Sequence, residues 1–154
     1  MLLWLLVLFC WLNYSTVLPE VQARQPSPAE LEAIQKETKV VFLDFLQLWQ
    51  EERYFELYNY GNQHSREQIS IEEFATRMVE LDWVPLGLHP EKRSEVSYHY
   101  RTFLYVIATI VFRHKSDFDL QFSRRQSFLL LKESGKWHFD LLQMIRSPFY
   151  SPPK

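Results

Sequence analysis

Cysteine is nearly absent from this 154-residue sequence, and the single one, Cys10, lies inside an N-terminal apolar run. Downstream of that run the chain can build no disulfide, cysteine-ligated zinc site or thiol nucleophile, whatever compartment it enters. Leu8 and Phe9 precede Cys10 where a lipid-attachment box wants small residues, so Cys10 reads as part of the apolar run. Clustered positive charge is missing too. The net charge is −2, and no run of Lys and Arg of the kind that follows a phosphate backbone occurs, which argues against nucleic acid as a partner. The five histidines show no H-x-x-x-H or equivalent spacing, so neither a metal nor a cofactor is expected. Internal repeats and low-complexity segments are also lacking.

The apolar run itself, Leu2 to Leu12, is shorter than the roughly 20 residues that a membrane-spanning helix needs. Val21 and Ala23 supply the small residues that a signal peptidase accepts, which predicts a signal peptide over 1–23 and an exported chain, periplasmic or extracellular. No Lys or Arg precedes the run, and the alternative is an uncleaved membrane anchor extended through Leu18. A linker over 24–27, a folded domain over 28–146 and a proline-rich loose tail over 147–154 complete the organisation. With 47% hydrophobic and 16% aromatic residues, one packed core is expected.

Ser27, Pro28 and Glu30 form an N-cap, a proline in the first turn and a capping-box acid, so a helix starts at Pro28. Leu31, Ile34, Val41, Phe42, Phe45, Leu48 and Trp49 then lie at helical spacing. The aromatic stretch WQEERYFELYNY, residues 49–60, predicts a second, short helix ending at Gly61. Ser70 and Glu73 open a third, with Ile71, Phe74, Met78 and Leu81 on one face, and DWVPLGLHP closes it through Pro85, Gly87 and Pro90. From Glu95 the texture turns to strand: VSYHYRTFLYVIATIVF as one bent strand or two, LQFSRRQSFLLLK, a turn at ESGK, and WHFDLLQMI as the last strand. The fold class is therefore α+β, three N-terminal helices packed on a curved antiparallel sheet.

The long first helix, the aromatic ERYFELY helix, the capped SIEEFATRM helix and the FLLLKESGKWHFDLL hairpin with Trp137 after its turn together resemble the nuclear transport factor two-like superfamily, the cone or cystatin-like α+β fold. The resemblance covers about Pro28 to Ile145. It implies a curved sheet wrapped around helices into a cone, whose mouth holds a small ligand or a peptide, and a sheet whose outer face pairs with a second copy. The same cone serves isomerases, dehydratases, hydrolases and plain binding modules, so the fold does not fix the function.

Two readings follow. In the first, the chain is an exported binding module without catalysis, for a small apolar ligand or a partner protein, with Tyr54, Tyr58, Trp83 and His99 as ligand-binding residues and a homodimer formed through the sheet. In the second, it is a cone enzyme in which Asp82 or Asp140 acts as base and the Tyr54 or Tyr58 hydroxyl stabilises an oxyanion. Two residues apart on one strand, His138 and Asp140 would share a face and make an acid–base pair. The opposite face, Trp137, Phe139 and Leu141, is more apolar and should point at the helices, which leaves His138 and Asp140 outside. Arg124 and Arg125 are adjacent in a strand and so face opposite ways, which makes a solvated edge rather than an anion clamp.

Overall fold

The N-terminal capping box forms as its residues dictate: Ser27 Oγ accepts from Glu30 N at 3.3 Å, and Ser27 N donates to Glu30 Oε2 at 2.6 Å. It opens helix α1, Pro28–Gln50, whose buried Phe42, Phe45, Leu46 and Trp49 repeat at three and four residues and make one stripe against the sheet. The computed structural model describes residues 26–92, 94–100 and 102–146, without the side chains of residues 98–100. The expected signal peptide, the first half of the linker and the 147–154 tail lie outside the described residues.

Three more helices precede the sheet, so the expectation of three N-terminal helices is corrected to four among the described residues: α2, Tyr54–Tyr58; α3, Gln63–Gln68; and α4, Ile71–Val79. The aromatic helix closes earlier than expected, at Tyr58 with Asn59 as its C-cap rather than at Gly61, and Asn62 restarts the chain, its side-chain oxygen accepting from Ser65 N at 2.7 Å. Ser70 caps α4 through Glu73 N at 3.1 Å, while the Glu73 carboxylate pairs with Arg77 one turn on.

The sheet comprises β1, Trp83–Leu88; β2, Glu95–Tyr100; β3, Phe103–His114; β4, Gln121–Glu133; and β5, Lys136–Phe139. All pairings are antiparallel, and β4 lies along one edge of β3. The other edge is shared end to end: β1 pairs with the C-terminal half of β3 and β2 with its N-terminal half. The sheet curls into a half-barrel. Two bulges bend its edge, at Leu86 between Pro85 and Gly87, and at His99 between Tyr98 and Tyr100. DWVPLGLHP is thus an edge strand and not merely a helix terminator. An edge tolerates the missing amide of Pro85, and Gly87 supplies the positive φ of 143° that the bulge needs.

The last strand is also corrected. It stops at Phe139, and Leu141–Arg146 is a fifth helix, α5. Asp140 starts it by accepting from Leu142 N at 3.0 Å and Gln143 N at 3.4 Å. Where β5 ends, α5 finishes its hydrogen-bonding work on β4: the Gln143 side chain donates to Ser127 O at 2.9 Å and accepts from Leu129 N at 3.3 Å. The outer edge of β5 is covered by the Tyr60–Asn62 backbone, with Phe139 N donating to Tyr60 O and Asn62 N to Phe139 O.

Alternation places Leu104, Val106, Ala108, Ile110 and Phe112 of β3 on the concave face, all buried. Trp137 and Phe139 point inward as their alternation predicted, and they are buried as well. The interior is filled with rings. Phe45 stacks on Phe139 at 3.8 Å, Phe42 tilts against Phe128 at 5.2 Å, and Trp49 meets Phe112 edge-on at 5.8 Å.

Candidate functional site

Each residue singled out in the sequence has a defined place. Tyr54 is buried, with its hydroxyl 3.3 Å from Glu52 Oε2. Burial, and then the negative charge of Glu52, push its pKa well above the ordinary tyrosine value. Glu52 also pairs with Lys115 at 3.4 Å, and Lys115 donates to Val79 O at 2.9 Å at the end of α4. This network joins the α1–α2 junction, α4 and the end of β3. Tyr58 sets its hydroxyl 2.8 Å from Ile69 O and 3.1 Å from Arg66 O, and its ring tilts against Phe74. Both hydroxyls therefore already have acceptors within the frame.

Trp83 begins β1, packed edge-on to His114 at 4.9 Å and Phe122 at 4.8 Å. His99 is the bulge residue of β2, and its side chain is outside the described residues. The structure does not bring these residues to one mouth. Trp83 pairs with His114, whereas Tyr98 and Tyr100 flank His99 opposite Leu104 and Phe103. At about 3.3 Å per residue, roughly 30 Å of β3 separates the two positions, beyond the span of a small ligand.

The acid–base candidates are equally dispersed. Asp82 is exposed, and its carbonyl accepts from Lys115 N at 2.7 Å. Asp140 is not on a strand, so it does not share a face with His138 in the way strand alternation suggested. Its Oδ1 accepts from Ser65 Oγ at 3.1 Å as well as from the two α5 amides. His138 stands opposite Leu131 on the outer face. Arg124 and Arg125 do occupy opposite faces, the latter reaching Glu95 at 3.1 Å.

The cleft that the fold builds lies elsewhere. Between α1 and the β1–β2 edge is an opening of about 350 Å³. Its apolar lining is Phe42 and Leu43 of α1, Leu88 of β1, Val96 of β2 and Val106 of β3; Gln35, Lys39, Ser94 and Glu95 supply the polar groups. Gln35, Lys39, Phe42 and Leu43 follow one another at four, three and one residues, which puts them on a common side of α1. A second cleft of about 450 Å³ near α5 includes His64, Tyr105, Leu129, Asp140 and Arg146, with Asp140 already committed to the start of that helix.

Sequence reasoning passed over the first cleft, although one signal was present. Val40–Leu43 is a run of four apolar residues, more than one helical stripe uses, and the surplus is visible at the surface: Val40 is 54% exposed and Leu43 41%. Among the described residues no group of three or more His, Cys, Asp or Glu side chains is placed to hold a metal ion, and no helix is long and apolar enough to cross a membrane. No protein-family model matches this chain, and no curated protein matches it either.

Proposed function

We propose that the chain is an exported binding module of the nuclear transport factor two-like, cone-fold kind, acting without catalysis, and that the cleft between α1 and the β1–β2 edge receives a small apolar ligand. The observation that carries this reading is apolar surface left open inside a concavity: Leu43 is 41% exposed beside Phe42, Leu88, Val96 and Val106. A concave site that is mostly apolar, with a few polar groups at its margin, is the usual make-up of a small-molecule site. Covering such surface contributes roughly 25 cal/mol for each Å² of apolar area removed from water. The engagement of Tyr54, Tyr58 and Asp140 in structural hydrogen bonds supports the same reading, in which they hold the frame and move no protons.

Titration of the mature chain with 1-decanol, followed by amide NMR, tests the proposal. Saturable shifts are expected around Leu43, Leu88, Val96 and Val106, and Leu43→Asp is expected to weaken binding at least tenfold while the protein stays folded. Shifts that do not saturate, or that gather elsewhere, would overturn it.

The outer face of the sheet favours a companion reading, pairing with a second copy. Phe103, Tyr105 and Ile107 of β3 stand there opposite Leu131, Leu129 and Ser127 of β4, an apolar surface that is only half-buried in the single chain. Sedimentation equilibrium decides it: a dimer that Ile107→Asp converts to monomer is expected, and a wild-type monomer at 100-fold above working concentration would end the idea.

A further inference from the structure

The charge around the α1–sheet cleft points to a narrower ligand class. Among the described residues, two of charged type line it, Lys39 and Glu95. By strand register Glu95 stands opposite Ile107, on the outer face of the sheet, and Arg125, opposite Thr109, shares that face. The Glu95 carboxylate is held there by Arg125 at 3.1 Å, an ion pair that reaches across β3 on the side away from the helices. Val96 and Val106, by contrast, face each other on the concave side that the cleft opens onto. Lys39 forms no ion pair or hydrogen bond through its ammonium among the described residues, and Gln35, one turn earlier on the same side of α1, lines the cleft as well. Among the described residues the cleft therefore combines an apolar floor with one cation left without an ion pair, Lys39, and the neutral polar residues Gln35 and Ser94.

We infer, resting on the binding-module reading above, that the ligand is an anionic amphiphile, an unbranched or ring-bearing apolar body carrying one carboxylate-like head that meets Lys39 and Gln35. A neutral apolar molecule would use the floor and leave the rim idle. A dianion would have one charge without a partner, and a cation would meet Lys39 with the wrong sign. Lys39 is exposed, so its attraction acts in a high-dielectric setting and is modest; it selects among ligands that the floor already holds.

The experiment compares decanoate with 1-decanol, which share a chain and differ in the head, both below their aggregation concentrations, by calorimetry and amide NMR on the mature chain. Decanoate is expected to bind about five- to tenfold more tightly than decanol at low salt. Lys39→Gln is expected to remove that difference while leaving decanol unchanged, and 0.5 M NaCl to shrink it. Glu95→Gln should leave decanoate affinity within twofold, and a larger gain would put that carboxylate in the cleft and overturn the charge assignment. Equal affinities for the two probes, or a Lys39→Gln protein that still prefers decanoate, would overturn the inference and leave the binding reading standing. Binding of neither probe at the cleft would remove both.

Discussion

Two residues on α1, Leu43 and Phe45, stand only two positions apart and meet different fates. Phe45 is fully buried, stacked at 3.8 Å on Phe139 of β5, with Trp49 and Tyr60 at its edges. Leu43 is 41% exposed at the rim of an open cleft. Both are large apolar residues, separated only by Asp44, and a helical turn of 100° per residue sends them to opposite margins of the buried stripe. The same helix thus carries a margin that folds the protein and one that leaves apolar surface open in a cleft. Burial separates the two roles, whereas hydrophobicity alone would class the residues together.

The largest effect that sharpens this contrast is expected at the sealed margin. Phe45→Ala should cost about 3 to 5 kcal/mol in denaturant melts, since it empties a fully buried ring site whose stacked partner loses its neighbour. A loss below about 1 kcal/mol would erase the distinction between the margins.

Next in size is Gly61→Ala, expected to cost about 1 to 3 kcal/mol. A Cβ there would run into the Leu141 side chain, with Cγ 2.8 Å away, and would stand 3.0 Å from Tyr58 O. Glycine at this position lets the backbone lie against β5 as its edge cover, a contact shown by the Gly61–Phe139 bridge. Thermal melts of the variant check the size. An unchanged midpoint would mean that α5 moves aside freely.

A smaller and pH-dependent effect belongs to Tyr54. Burial raises its folded-state pKa above the ordinary value of 10.0, so the folded form keeps its proton where the unfolded chain begins to lose it. The stability that it contributes is therefore complete below pH 10 and declines as pH rises past that point toward the folded-state value. Tyr54→Phe should flatten the alkaline fall measured by urea denaturation between pH 9 and pH 11, at a cost near neutrality of about 0.5 to 1.5 kcal/mol for the lost hydrogen bond. Equal slopes for the two proteins would place the alkaline sensitivity elsewhere.

The smallest stability change is expected at the open margin. Leu43→Ala should shift stability by no more than about 0.5 kcal/mol, as surface changes do, and yet reduce decanol affinity in the titration described above. A stability loss of 2 kcal/mol would show that Leu43 is part of the core after all.

Local chemistry set a good part of this molecule. The cap at Ser27, the buried stripe of α1, the tight turn at Gly135 and the inward alternation of Trp137 and Phe139 depend on neighbours one to four residues apart, and each could be read from spacing. What spacing could not supply was the company kept across the fold. Pro85 and Gly87 look like breakers until β3 lies alongside and turns the segment into a bulged edge strand. Leu141–Arg146 extends an apolar run suited to a strand until Asp140 engages its first amides and Gln143 closes the edge of β4. The α1–sheet cleft is drawn from positions between 35 and 106 on α1, β1, β2 and β3, and none of them is marked by a motif. Its charge depends on Arg125 drawing the Glu95 carboxylate to the far face from 30 residues away, a partnership that only the assembled sheet creates.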